Sequence, residues 1–193
     1  MAINLNNIER PLPNISKTEL KEVKGIILHS PIKYYGEKFT AYNSGYDEIM
    51  QLNRDTKDFG YHYGIDGNDM VEYIPTRYQA KSLTGNPTYI STALFKQKPE
   101  ESCISICIFF SPENDYEEYE DMLIKLLVKL LREYDLDVTA LWRGFDLCKT
   151  NKEPLIMLDD TIWKKYLNII IKYLNVTDKS LTEREQAEED DKV

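Results

Sequence analysis

The sequence predicts a single α/β domain in which a mixed central β-sheet is flanked by helices. Three observations predict it. Short β-like runs alternate along the chain with amphipathic helical segments, an order that stacks helices on a sheet. One hairpin signal stands among them, which puts an antiparallel pair into the sheet. The 193 residues suit one domain with a sizeable core, and the 42% hydrophobic and 30% charged content is that of a globular chain.

The elements follow in order. Residues 1–22 carry Pro11 and Pro13 with little periodicity and read as an N-terminal arm. Gly25-Ile26-Ile27-Leu28-His29-Ser30, closed by Pro31, suits a buried central strand. Residues 41–54 form a helix candidate with Ile49, Met50 and Leu52 on its apolar face. Gly60–Asp66 alternates as a strand, Asp66-Gly67-Asn68 signals a tight turn, and Met70–Ile74 returns before Pro75. Residues 76–101 read as loop, broken by Gly85-Asn86-Pro87 and Pro99.

Ser102–Phe110 is the most β-like run and reads as a strand buried on both faces. Asp115–Tyr134 is the clearest helix. Tyr119, Leu123, Leu126, Leu127, Leu130 and Tyr134 share one face, and its first turns are acidic, as the helix dipole favours. Asp137–Trp142 starts another strand. Asp159–Leu174 is a second amphipathic helix with Ile162, Tyr166, Ile169, Ile170 and Tyr173 on its apolar side. Residues 176–193 are charged, lack an apolar stripe, and read as a disordered tail. The domain proper is therefore 23–175.

Charge and cysteines narrow the function. A formal net charge of −9 opposes nucleic-acid backbones and anionic membrane surfaces. Cys103, Cys107 and Cys148 make no metal-ribbon or C-x-x-C spacing. Their odd number fits a reducing compartment. The N-terminus lacks the apolar core of a secretory signal, and no run approaches the roughly 18 residues of a membrane span. The expected location is cytoplasmic or virion-associated.

Three segments resemble the zinc-dependent N-acetylmuramoyl-L-alanine amidases of phage endolysins, whose fold peptidoglycan recognition proteins share. Ile26-Ile27-Leu28-His29-Ser30 resembles the family's opening strand, which ends in a metal-binding His. Gly60-Tyr61-His62-Tyr63-Gly64-Ile65-Asp66-Gly67, followed by Val71 and Ile74-Pro75, resembles its Tyr-His-aromatic strand and hairpin. Ile104-Ser105-Ile106, the long helix, and Trp142-Arg143-Gly144-Phe145-Asp146 resemble its third block, with Trp163 in the closing helix. The likeness spans about residues 24–172.

The resemblance implies three zinc ligands that polarise an amide and activate water. His29 matches the first. Gly144 stands where the family has its second, a His, and glycine has no donor. Glu153, before Pro154, is nearest to the third, one residue further along than in the family. Ser82 stands at a His position, Cys107 at a Glu position and Asn151, beside Lys152, at a Lys position. Tyr61 matches a catalytic Tyr of some phage members. Strand alternation makes His62 face away from the cleft if Tyr61 faces it. Arg77, Lys81 and Arg143 are candidate cleft cations for the carboxylates of muropeptides.

These readings together imply a catalytically inactive amidase-fold protein. It would serve as a phage or prophage particle component, or as a peptidoglycan-binding module, in a low-GC Gram-positive host. Its partners would be peptidoglycan fragments or other particle proteins, with no cofactor, nucleic acid or membrane. One alternative is a divergent zinc amidase that cleaves peptidoglycan through His29, Glu153 and Tyr61. Another is a cytoplasmic regulatory module that binds a second protein.

Overall fold

The computed structural model describes residues 7–30, 45–56, 59–66, 69–82, 98–109, 116–147, 154 and 157–190. The elements are β1 (Asn7–Glu9), β2 (Gly25–His29), α1 (Gly45–Asp55), β3 (Tyr63–Asp66), β4 (Asp69–Glu72), β5 (Cys103–Phe109), α2 (Tyr116–Glu133), β6 (Leu141–Arg143), α3 (Gly144–Leu147) and α4 (Asp160–Asp190). Six strands form one sheet in the order β1-β4-β3-β5-β2-β6. Among the described strands only the β3–β4 hairpin is antiparallel. The β1–β4, β2–β5, β2–β6 and β3–β5 pairs are all parallel. The predicted mixed sheet with flanking helices is the observed architecture.

The central strands are buried from end to end, as their unbroken apolar runs require. On one face, Ile26, Leu28, Tyr63, Ile65, Ile104, Ile106 and Ile108 meet the buried stripe of α2 and Trp163, Tyr166 and Ile170 of α4. On the other, Phe59, Tyr61, Tyr73, Ile74, Cys107 and Phe109 pack with Ile49 of α1 and Leu12 of the arm. The α2 stripe is the one its periodicity predicts. The α4 face is rotated from the expected one: Ile162 and Tyr173 are substantially exposed, while Trp163 is buried.

Four expectations need correction. The N-terminal arm is part of the sheet, because β1 pairs with β4 and the amides of Arg10 and Leu12 bond the carbonyls of Glu72 and Tyr73. The strand expected from Asp137 opens with a 3-10 turn at Val138–Ala140, where the Asp137 carboxylate accepts the Thr139 amide, so β6 has three residues. Residues 76–82 of the expected loop are stitched in, through bridges from Tyr78 to Glu19 and from Lys81 to Phe59. Finally, α4 continues to Asp190 and takes in most of the expected tail. Residues 176–190 hold no Gly or Pro and are rich in Glu, Lys, Leu, Arg, Gln and Ala. Such residues favour helix without any apolar stripe.

Helix α2 ends in a Schellman motif. Asp135 adopts the left-handed conformation at φ 52°. The amides of Leu136 and Asp135 then bond the carbonyls of Leu131 and Arg132. This turn delivers the chain to the start of β6 and sets the level at which β6 joins β2.

The hairpin carries a bulge where it meets the cleft face. The amides of Tyr73 and Ile74 both bond the carbonyl of His62, at 2.9 and 3.4 Å, the two-against-one pattern of a β-bulge. The bulge lays the Tyr73 ring over Gly64. A Cβ at Gly64 would lie 2.8 Å from the Tyr73 hydroxyl oxygen and 2.9 Å from its ring carbon Cζ. Gly64→Ala is therefore expected to cost about 1–3 kcal/mol through overpacking. Thermal unfolding checks this, and Tyr73→Leu in the same chain should recover part of the loss. Equal losses in the two backgrounds would show that the ring is not the obstacle.

Candidate functional site

The parallel strands β2, β5 and β6 bring their C-terminal ends to one edge of the sheet. His29 is the last residue of β2, fully buried, and pairs in register with Cys107 of β5. Paired residues on neighbouring parallel strands point to the same face, about 4.8 Å apart. On the other side, Leu28 pairs with Arg143 of β6. Strand β6 ends there, and Gly144 opens α3 directly after it. At one register level the sheet therefore presents Cys107 and His29 side by side.

Tyr61 completes this cluster. Its ring centroid lies 5.0 Å from that of His29, tilted by 47°, and its edge meets Phe59 at 5.4 Å. The strand after Tyr61 and the strand of His29 lie on either side of β5, roughly 10 Å apart. The phenol ring thus leans across the Cys107 position to reach the imidazole. Both rings are buried to within 1%.

His62 departs from the alternation argument. The chain bends at His62, so Tyr61 and His62 do not alternate as they would in a flat strand. The imidazole Nδ1 lies 3.1 Å from the Ser105 hydroxyl and accepts the Ser105 amide at 2.9 Å. Ser105 is on the Cys107 side of β5, so both Tyr61 and His62 reach the His29 face. Nε2 lies 2.8 Å from the Tyr78 carbonyl. With Nδ1 accepting an amide, the proton sits on Nε2 and is donated to that carbonyl. Burial, reinforced by His29 nearby but opposed by the Tyr78 bond, pulls the His62 pKa down to about 4. His62 is a neutral fastener between β5 and the 76–82 segment, not a metal donor.

The three expected cleft cations separate. Arg143 is buried and fully engaged. It grips Asp146 through Nε and Nη2 at 3.0 and 2.7 Å, and reaches Asp160 and the Met157 carbonyl at 2.9 Å through Nη1. Its side chain lies on the α4 face, opposite His29, because it pairs with Leu28 and alternation assigns it there. Arg77 is exposed over the Tyr78 ring at 4.9 Å. The adjacent Thr76 accepts a bond from Tyr134, just past the end of α2. That helix end lies at the N-terminal edges of the strands, away from His29. Lys81 is exposed, and its backbone bridges to Phe59, whose ring meets Tyr61.

Ser82, at a His position of the resemblance, is buried, and its hydroxyl finds no hydrogen-bond partner among the described residues. Glu153, Asn151 and Lys152 lie outside the described residues, as do Cys148 and the 83–97 stretch.

The donor chemistry can be compared with what zinc needs. A stable zinc site takes three or four N, S or O ligands. Among the described residues, no three His, Cys, Asp or Glu side chains converge. His29 and Cys107 are two donors in register, and Gly144, at the start of α3, supplies none. The described residues thus do not fit a closed zinc site.

Sequence reasoning missed the Cys107–His29 pairing and the role of Ser105. A signal for both was present. Cys103, Ser105 and Cys107 alternate with Ile104, Ile106 and Ile108, which marks one strand face as distinct from the other.

No family model matches the chain. Among solved structures, a mutant endolysin from Bacillus subtilis superposes with a TM-score of 0.64 at 13% identity, over 86% of this chain and 99% of its own. PlyL gives 0.62 at 13% identity, over 86% and 97%. The N-acetylmuramoyl-L-alanine amidase LysC from Clostridium intestinale URNW gives 0.52 at 16% identity, over 82% and 98%. At such identities the likeness is one of fold, and the fold is that of endolysin and amidase catalytic domains. A probable nicotinate-nucleotide adenylyltransferase from Bacillus cereus (strain G9842) is 33% identical over 91 residues, 47% of this chain. The chain spans 44% of that relative's length. No helix among the described residues is long and apolar enough to cross a membrane.

Proposed function

We propose that this chain carries the amidase fold without amidase chemistry, and acts as a peptidoglycan-binding module or a structural component of a phage or prophage particle. The observation that carries this reading is the residue that follows β6. Gly144, directly after the Arg143 that pairs with Leu28, has no side-chain donor. A site short of the three donors that zinc needs holds the ion weakly, and without zinc no water is activated at neutral pH. Solved structures of similar fold from Bacillus and Clostridium favour a low-GC Gram-positive host.

The binding surface under this reading is the rim above His29 and Tyr61, where Lys81 supplies a cation for a muropeptide carboxylate. The adenylyltransferase likeness supports no nucleotide-transfer reading. Strand β2 ends in His29-Ser30-Pro31 rather than in a glycine-rich phosphate cradle.

The test is the zinc content of the purified, extensively dialysed chain, prepared without a His tag. The expected result is trace zinc and no release of wall fragments from purified peptidoglycan. Near-stoichiometric zinc that disappears in His29→Ala would establish the divergent amidase instead. The observation that favours that second reading is the Tyr61 ring held beside His29. Its remaining ligands would come from Glu153 and one further donor.

A further inference from the structure

We infer that the exposed face of α4 is the contact through which two copies of this chain pair, with their α4 helices antiparallel. The inference makes no use of the cleft at His29, so it fails or holds separately from the reading of that cleft.

Helix α4 outruns the domain element it packs on. It lies alongside α2 in the same direction. Lys165 is 4.0 Å from Glu120, and further on Arg132 donates to the carbonyls of Tyr173 and Leu174 at 3.1 and 3.4 Å. Helix α2 ends at Glu133, directly after Arg132, whereas α4 continues to Asp190. From Leu174 onward the α4 backbone therefore runs about 24 Å further, at 1.5 Å per residue. A polar helical stretch of that length is marginal in water without packing. A second helix laid along it supplies that packing.

The first half of α4 carries the apolar surface for such a contact. Trp163, Tyr166 and Ile170 are buried in the core, but Ile162 is 39% and Tyr173 46% exposed. Partly buried Ile169 stands between these two, seven residues after Ile162 and four before Tyr173. Such spacing lines up side chains in a strip along one side of a helix. Lys165 and Lys172, three residues on from Ile162 and Ile169, are exposed and border the strip.

Charge selects the occupant. Residues 160–175 hold three lysines and one acid, whereas residues 176–190 hold six acids and two basic residues. The whole chain carries −9, so two copies repel in general. The first half of α4 reverses that sign locally. An antiparallel second copy lays its acidic half along the basic half of the first, and two-fold symmetry repeats the match. A parallel pair would set like charge against like. The apolar strip then lies between the helices with ion pairs along its border, as in paired helices generally.

The experiment measures the mass of the full chain by light scattering on a size-exclusion column at high micromolar concentration. The expected mass is twice the 22.6 kDa of one chain. Lys164→Glu/Lys165→Glu/Lys172→Glu should weaken pairing by at least about 100-fold, and so should Glu183→Lys/Glu185→Lys/Glu188→Lys. Mixed in equal amounts, the two variants are complementary again and the dimer should return. Ile162→Asp, which leaves every lysine in place, should also give monomer. Circular dichroism checks that each variant is folded.

A monomeric parent would overturn the inference. A dimer that survives the charge reversals would place the contact on another face and overturn it as well. Two reversals that each abolish the dimer without restoring it on mixing would refute the antiparallel match. Where a reversed variant does not fold, Ile162→Asp decides: a dimer that persists in it rules out the α4 strip.

Discussion

Arg143→Ala is expected to cost about 3–5 kcal/mol of folding free energy, because it strips a buried cation from a set of acceptors built around it. The guanidinium side chain is 7% exposed and holds Asp146, itself 24% exposed, in a two-pronged bridge. It also bonds the Met157 carbonyl and Asp160, and lies 5.5 Å over the Trp163 ring. Among the described residues, removing it leaves the Asp146 carboxylate of this network with the Arg143 amide, and unties the start of α4 from the end of β6. Asp160 is 75% exposed, so Asp160→Ala should cost no more than about 1 kcal/mol. Urea unfolding of both variants checks this. An unshifted midpoint for Arg143→Ala, combined with weakened muropeptide binding, would return Arg143 to the cleft.

This network also explains what surrounds Gly144. Asp146 accepts the Arg143 amide as well as the guanidinium, so Arg143 and Asp146 brace the turn from β6 into α3. They serve the backbone whatever residue stands at 144. A glycine at 144 leaves the turn intact, because the contacts that brace it come from Arg143 and Asp146.

The fold was legible because its periodicities are strong. The α2 stripe and the apolar runs of β2 and β5 bury the residues that their spacing selects. The arm was not legible, since β1 is only three residues long and owes its place to a partner 63 positions away in register, Met70 for Asn7. The bend at His62 and the bulge opposite it were equally hidden. Strand alternation assumes an unbroken ladder, and one doubled hydrogen bond on the His62 carbonyl breaks it. The same holds for the cations. Charge alone placed Arg77, Lys81 and Arg143 in one cleft, yet Arg143 is spent on carboxylates 3 and 17 residues along the chain.

The second large effect is a loss of stability in mild acid through His62. An unfolded histidine titrates near 6.5, whereas burial holds native His62 at about 4. Between these values the unfolded state binds a proton that the native state refuses, so stability rises with pH across the window. The full contribution is present above about pH 6.5 and is lost as pH falls towards 4, for a total of about 3 kcal/mol.

The cause is visible in the bonding. A proton on Nδ1 would turn an acceptor towards the Ser105 amide into a second donor facing it. The carboxylates whose pKa values are lowered, Asp137 and Asp159, start from 3.8 and so act below this window. Urea unfolding from pH 7 to pH 4.5 should show the decline in the parent and a flatter profile in His62→Gln, whose stability at pH 7 is already reduced. Parallel profiles would mean that His62 does not report the acid loss. A steeper early loss of exchange protection at the Tyr78–Ser82 amides than in α2 would trace the weak point to the segment that His62 fastens.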